Sequence, residues 1–218
     1  MALIRRRDGK YDNVFALDAH VSILEHFKRS GHPCFVLNEQ LRIGRGQFDL
    51  ARSLVYSDVE NFAYGPNTSL DKQLVALNVA NWVAEDYRLN PPIDGATLPV
   101  FVDCPGSVCF LNENASRYNP DQNSCAVHLI RELIVKLGLA PKDIVPITPY
   151  RANLKHLGEV LKEAASDPAG PASLSEVAVT TTDSSHGREG QVVILGLVVT
   201  QEPSPQFVAT LNRIYVGT

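Results

Sequence analysis

Apolar residues recur at helical spacing in four segments of the chain, with short runs of branched apolar residues between them. The helical segments cover residues 20–31, 70–92, 120–138 and 149–164. The apolar runs at 33–39, 98–106, 143–148, 176–182 and 192–199 are typical of strands. Helices and strands that alternate in this way predict an α/β fold with a mostly parallel sheet covered by helices on both faces.

Local signals place the start of two helices. Asn119 followed by Pro120 is typical of an N-cap and the first helical position, and Val127, Ile130, Leu133, Ile134 and Leu137 then form one apolar stripe before Gly138. By the same reasoning Thr148 is predicted as an N-cap and Pro149 as the first residue of the next helix. The run 192–199 is apolar at every position, which predicts a central strand.

The carboxyl ends of parallel strands form the edge at which ligands usually bind. The loop 182–190 and the turn 148–151 each follow a predicted strand, so we expect both on one rim of the sheet. Unpaired N–H groups at the start of a helix attract anions, and Arg151 adds a positive charge. The sequence therefore predicts a phosphate-binding position at this turn.

Composition narrows the class of protein. The 218-residue chain is 44% hydrophobic with a formal net charge of −4, so we predict one domain whose polyanion site, if present, is confined to one patch. Its four cysteines show no CxxC spacing, which favours a reducing compartment, nuclear or cytoplasmic. No apolar stretch reaches 18 residues, so the sequence predicts neither a membrane span nor a secretory signal.

Several common motifs for nucleotide or hydrolase chemistry do not match. The chain has no GxxxxGK[ST] sequence, the Walker A motif, so it is not expected to cradle a triphosphate alone. Gly44 and Gly46 form a G-x-G without a third glycine, and we treat this pair as unrelated to dinucleotide binding. Asp103 follows an apolar run as a magnesium ligand would, although a turn-forming aspartate is the more ordinary interpretation. Asp183, Ser185 and His186 lack the spacing of a hydrolase triad.

Four motifs in order resemble a known family. The segments "GHPCFVLNEQLRI", "DIVPITPYRANL", "VTTTDSSHGREGQVVIL" and "NRIYVG" are similar to the C-terminal RecA-like lobe of superfamily 1 helicases of the nonsense-mediated-decay and senataxin type. The resemblance covers residues 18–218 and leaves 1–17 as an N-terminal extension. It implies an ATP-dependent translocase on single-stranded RNA or DNA, with ATP and Mg²⁺ bound mainly by a first lobe that this sequence lacks.

The resemblance also implies roles at the nucleotide. "EQLRI" stands where the family usually has "EQYRM", so Arg42 is expected to reach the γ-phosphate, for which a guanidinium fork is suited. Gln40 is expected to contact nucleotide or to hold the loop. In the later motifs, the residues expected to face nucleotide are Gly187, Arg188, Glu189 and Arg213. Glu189 is expected to contact a ribose hydroxyl.

The nucleic-acid contacts implied by the resemblance fall in two motifs. "TPYRA" and "TTDSSHGRE" assign to the strand path Thr148, Pro149, Tyr150, Arg151, Thr182, Asp183 and Ser184. The chain departs from the family pattern where Leu41, Ser185, His186 and Tyr215 replace tyrosine, phenylalanine, glutamine and asparagine. It also ends at Thr218, before the last arginine of the final motif, so a truncated lobe is expected.

Three functions remain open on these grounds. The first is the second motor lobe of a helicase, inactive in ATP hydrolysis without the first lobe. The second is a degenerate lobe that acts as a scaffold or protein-interaction module, because a serine at 185 cannot supply the packing area of an aromatic ring. The third is an unrelated doubly wound enzyme that binds a small phosphorylated ligand.

Overall fold

The computed structural model describes residues 21–90, 96–185 and 187–200, and the chain divides into two compact units, 1–38 and 39–218. In the first unit, helix α1 spans Ile23–Arg29, and the Ser22 hydroxyl accepts a hydrogen bond from the Glu25 N–H. The prediction of a buried strand at 33–39 is wrong. Residues 32–38 form no regular structure, and Phe35 is 97% exposed.

Among its described residues, the second unit contains four further α-helices and seven strands. The helices are α2 (Asp49–Val55), α3 (Leu74–Asp86), α4 (Pro120–Leu137) and α5 (Arg151–Ser166). The strands are β1 (Glu39–Gln40), β2 (Ala63–Tyr64), β3 (Phe110–Leu111), β4 (Arg117–Tyr118), β5 (Ile144–Thr148), β6 (Thr180–Thr181) and β7 (Val192–Leu195). No helix among the described residues is long and apolar enough to cross a membrane.

The largest sheet is parallel and has the order β6-β5-β7. All five residues of β5 are buried, so β5 is the central strand of the described sheet. The predicted run 192–199 contributes β7, which among the described residues pairs on one side only, with β5, and Val193 is exposed. Parallel pairing of β1 with β2 and antiparallel pairing of β3 with β4 complete a mixed but mostly parallel α/β architecture, as predicted.

Helix α4 follows the predicted pattern residue for residue. The Asn119 side chain accepts a hydrogen bond from the Gln122 N–H, Pro120 is the first helical residue, and Gly138 closes the helix in the left-handed conformation. Val127, Ile130 and Leu133 are buried. They belong to the main core, which also contains Trp82, Val83, Ala126, Ile144, Leu157, Leu161, Leu174 and Val177.

Three other predictions need correction. Thr148 is the last residue of β5 and not an N-cap, because α5 begins at Arg151 with Tyr150 in the cap position. The strand predicted at 98–106 is not formed, since residues 96–109 have no regular secondary structure and Phe101 is 80% exposed. Helix α3 is shorter than its predicted segment at both ends.

Candidate nucleotide and nucleic-acid site

Arg42 lies on a loop that follows strand β1, and its side chain is 75% exposed. Its guanidinium forms a 2.7 Å ion pair with the carboxylate of Glu189, which is 67% exposed. These two residues are 147 positions apart in the sequence, and the fold brings them together. An ion pair so open to solvent contributes little to stability, so either partner can exchange the other for a ligand at small cost.

The main chain of the Arg42 loop is held by the preceding strand. The Gln40 side-chain oxygen accepts hydrogen bonds from the N–H groups of Arg42 (2.8 Å) and Ile43 (3.3 Å). Of the two roles left open for Gln40, this geometry provides the second, holding the loop. The glutamine thereby fixes the backbone from which the Arg42 side chain extends.

The second glycine of the G-x-G pair, Gly46, allows close packing in this loop. Arg45 donates its N–H to the Thr68 carbonyl and accepts at its own carbonyl from the Thr97 N–H. Gly46 has a φ of +88°, and a Cβ atom there would lie 2.3 Å from the Thr97 carbonyl oxygen. Gly46 is therefore a structural requirement of the loop that carries Arg42, which the G-x-G spacing did not reveal.

Strand β2 carries a tyrosine that links this region to helix α2. The Tyr64 hydroxyl donates a 2.6 Å hydrogen bond to the Asp49 carboxylate. Burial and this carboxylate raise the pKa of Tyr64 to about 12, so the hydroxyl remains a donor at physiological pH. Since Tyr64 pairs with Gln40 in the β1–β2 ladder, the link supports the strand that holds the Arg42 loop.

A second group of predicted residues lies at the carboxyl end of β5. Thr148 pairs with Thr181 in the sheet, and Thr182 begins the short turn Thr182–Ser184 that follows β6. Thr182 is 3% exposed, and its hydroxyl oxygen has no hydrogen-bond partner among the described residues. A buried hydroxyl without a partner is costly, so this position suits a ligand or a bound water.

The turn 149–151 leaves the same end of β5. Pro149 and Tyr150 are half-buried, and Arg151 is exposed as the first residue of α5. The N–H of Ala152 is already bonded to the Ser116 hydroxyl at 3.1 Å. The start of α5 therefore offers fewer free N–H groups to an anion than the sequence suggested, while the Arg151 charge remains accessible.

The remaining predicted residues follow the turn after β6. Asp183, Ser184, Gly187 and Arg188 are exposed, and the Arg188 N–H bonds the Ser185 carbonyl at 2.9 Å. The Ser184 hydroxyl accepts a hydrogen bond from Thr181. Arg213, the last nucleotide-facing residue predicted, lies outside the described residues, as do His186 and Tyr215.

The loop 182–190 begins on the predicted rim, beside the turn 148–151, but it then crosses to the other end of the sheet. It starts beside Thr148 at the carboxyl end of β5 but ends at the amino end, where the Gln191 N–H bonds the Asp143 carbonyl at 2.8 Å. Glu189 is two residues from that contact. The Arg42–Glu189 pair and the Thr148 turn thus belong to opposite ends of β5, roughly 13 Å apart at 3.3 Å per residue.

Two buried asparagines, Asn119 and Asn153, support the Thr148 turn through contacts that the sequence did not predict. Asn153 donates to the Thr148 hydroxyl at 3.1 Å and accepts from the Asn119 N–H at 3.1 Å. Asn119 in turn donates to the carbonyl of Val198, which lies beyond β7. All four residues are buried. Their network connects the first turns of α4 and α5 to the end of β5 and to the segment after β7. Asn119 was predicted only as a cap.

Comparison with known protein families shows which family this chain belongs to. A model of the AAA domain family matches residues 19–217, which is almost the whole chain. The chain belongs to the AAA domain family. This family is typical of superfamily 1 helicases, so the resemblance drawn from the four motifs is confirmed, and so is the RecA-like α/β fold.

A curated relative agrees with this assignment. Mouse "DNA replication ATP-dependent helicase/nuclease DNA2" is 26% identical over 202 residues, which cover 86% of this chain and 18% of the mouse protein. The chain therefore spans less than a fifth of that relative. Among the described residues, no group of three or more His, Cys, Asp or Glu side chains could hold a metal ion.

Proposed function

We propose that this chain is the second motor lobe of an ATP-dependent helicase and supplies part of an ATP site shared with a first lobe of the same parent protein. The observation that carries the proposal is the exposed Arg42 side chain, which stands on a firmly held backbone and is paired with Glu189. Both residues have nucleotide roles in the helicase pattern that this sequence resembles. Their pairing across the fold supports a single nucleotide-facing position.

In this proposal the two side chains act on different parts of ATP. Arg42 would neutralise the charge that develops on the γ-phosphoryl oxygens, since its fixed fork of donors matches them. Glu189 would accept a hydrogen bond from a ribose hydroxyl. Because their mutual ion pair is exposed, ATP with Mg²⁺, held mainly by the first lobe, can replace it without a large desolvation cost.

The opposite end of β5 would grip single-stranded RNA or DNA. Arg151 offers an exposed charge, and the buried Thr182 hydroxyl offers a group that needs a partner. A strand five residues long then separates nucleotide from nucleic acid, and the loop 182–190 runs between the two. We propose this loop as the segment that reports nucleotide state to the strand-binding end, in a protein of the nucleus or cytoplasm.

The test joins the chain to the first lobe that precedes it in the parent protein. Arg42→Ala should lower kcat for nucleic-acid-stimulated ATP hydrolysis by about 10³-fold or more, as loss of an arginine finger does. Arg42→Lys should recover only part of this, because an ammonium lacks the planar fork. Arg45→Ala removes an exposed arginine from the same loop and serves as the matched control, with kcat changed less than about threefold.

Two outcomes would contradict the proposal. One is full stimulated ATPase in the joined protein carrying Arg42→Ala. The other is ATP hydrolysis by the 218-residue chain alone at the rate of the joined protein, because a lobe without GxxxxGK[ST] should not bind and hydrolyse the triphosphate.

A degenerate lobe that acts as a scaffold is the second candidate, and Ser185 favours it. In the position where the family has a buried aromatic residue, Ser185 is buried and donates to the Thr182 carbonyl at 2.8 Å. That bond keeps the turn closed without the packing area of a ring. A joined protein that binds partners but shows no stimulated ATPase, with or without Arg42, would favour the scaffold.

A further inference from the structure

We propose that Gln73 is a positioning residue for Arg42, holding the peptide from which the arginine reaches towards the phosphate. The proposal rests on the function proposed above for Arg42 and extends it to a residue 31 positions away that none of the helicase motifs contains. Gln73 occupies the cap position immediately before helix α3.

The Gln73 side-chain amide meets two carbonyl groups. Its nitrogen donates to the Arg42 carbonyl at 3.3 Å and to the Asn67 carbonyl at 2.9 Å. An amide NH₂ carries two donors, and both are used here. The stem of the same side chain also packs on the loop, because a Cβ atom at Gly44 would lie 3.5 Å from the Gln73 Cγ.

Gln40 holds the peptide group on the other side of the Arg42 Cα atom. Its oxygen accepts from the Arg42 N–H, so both main-chain polar groups of Arg42 are bonded to glutamine side chains. The Arg42 side chain remains 75% exposed. A fixed main chain with a solvent-exposed side chain is the arrangement required of a residue that must reach across a cleft into a second lobe.

Gln73 ties this base to the core of the unit. Among the described residues, its side chain forms no cap bond to its own helix and is directed to the Arg42 loop instead. Helix α3 is anchored by Trp82 and Val83, which are buried in the main core. Displacement of the Arg42 carbonyl therefore requires a bond to a core helix to break, which limits the positions that the guanidinium samples.

Hydrogen exchange of the 218-residue chain tests the contact without ATP. Gln73→Glu keeps the shape of the side chain but turns its two donors into acceptors facing two carbonyl oxygens. We expect the amides of Arg42 and Ile43 to exchange about 3–10-fold faster, the range that corresponds to one hydrogen bond, with α4 amides unchanged. Gln73→Met removes the donors without adding charge and should act in the same direction.

The matched control is Asn114→Asp, the same amide-to-acid change at an exposed position in the β3–β4 turn. It should leave exchange at Arg42 unaffected. Unchanged exchange in both Gln73 variants, or equal acceleration in Asn114→Asp, would overturn the positioning role.

Kinetics in the protein joined to its first lobe test the consequence. Gln73→Glu should lower kcat about tenfold with KM for ATP changed less than about threefold, since a misdirected Arg42 affects the transition state more than binding. In an Arg42→Ala background the same substitution should cost nothing further. An equal loss in both backgrounds would overturn the proposal. If Arg42→Ala alone has no effect, the proposed function fails and the catalytic part of this inference with it, whereas the exchange result still reports the contact.

Discussion

At the scale of single residues, the Arg42 loop is specified by contacts that leave little freedom. Gly46 adopts a left-handed conformation and lies against the Thr97 carbonyl, and Thr97 donates its N–H back to Arg45. The backbones of residues 45–46 and of Thr97, which are far apart in the sequence, are therefore in direct contact. Any side chain at Gly46 would force these segments apart and move the base of Arg42.

Gly46→Ala should be more destabilising than an alanine at another left-handed glycine. At Gly46 the backbone cost of roughly 1 kcal/mol is joined by a clash with a carbonyl, so we expect a total of about 2–4 kcal/mol from urea denaturation. Gly138→Ala is the control, because its φ is +66° and nothing lies within 4 Å of the added Cβ. Equal losses at the two positions would show that the Thr97 contact is unimportant.

Sequence reasoning at this scale identifies candidate residues that a motif contains and misses residues whose role depends on a distant neighbour. The motifs predicted nucleotide roles for both Arg42 and Glu189, and the fold brings the two side chains together. Thr148 was misassigned as a cap because the residue before a proline favours extended backbone, which suits the end of a strand equally well. Gln73 could not be found, since its partner lies 31 residues away.

At the scale of elements, a helix whose ends are set by neighbouring residues could be predicted, whereas strands that depend on a distant partner could not. Helix α4 was predicted with both ends correct, because its cap, its first proline and its closing glycine are all neighbours in sequence. The segments 33–39 and 98–106 were predicted as strands from apolar runs alone. A strand exists only when a partner pairs with it, and the apolar pattern does not name that partner.

Asn119 makes both a local contact, the cap of α4, and a long-range contact, the bond to the Val198 carbonyl. Two substitutions can measure these contributions separately. Asn119→Ala loses the cap of α4 and the bond to the Val198 carbonyl, and should lower the free energy of unfolding by about 2–4 kcal/mol. Asn119→Ser retains a cap acceptor but is too short to reach Val198, so it should cost about 1–2 kcal/mol. Urea denaturation measures both, with exposed Asn114→Ala as a control expected within about 0.5 kcal/mol. Equal costs for serine and alanine would exclude a contribution from the cap.

At the scale of the whole molecule, strand β5 separates Glu189 from the Thr148 turn, although the sequence predicted the loop 182–190 and that turn on one rim. The error arose in the loop 182–190, which was assumed to stay at the carboxyl end of β6. The strand register shows that the loop changes ends. Before the loop, Thr181 pairs with Thr148 at the carboxyl end of β5, and after it Val192 pairs with Ile144 at the amino end. Because β6 and β7 both run parallel to β5, the chain must return to the amino end of the sheet after β6, and this loop does so in about ten residues.

This separation predicts that positive charge matters for nucleic acid at one end of β5 only. Arg151 is exposed at the carboxyl end, and Lys142 is exposed just before the amino end. With a net charge of −4, the chain should bind a single-stranded oligonucleotide weakly and with strong salt dependence. Arg151→Ala should weaken binding several-fold and reduce the slope of log K against log salt by about 0.7, the amount expected for one phosphate contact on a single strand.

Lys142→Ala removes the same charge from the other end and should leave the slope unchanged. Fluorescence anisotropy of a labelled oligonucleotide, titrated at several salt concentrations, measures both variants. Because the overall charge changes equally, a difference between them reports where the phosphates lie and not the average field of the protein. Equal slopes for the two variants would mean that the strand does not follow the Thr148–Arg151 turn, and the proposed division of β5 into a nucleotide end and a nucleic-acid end would fail.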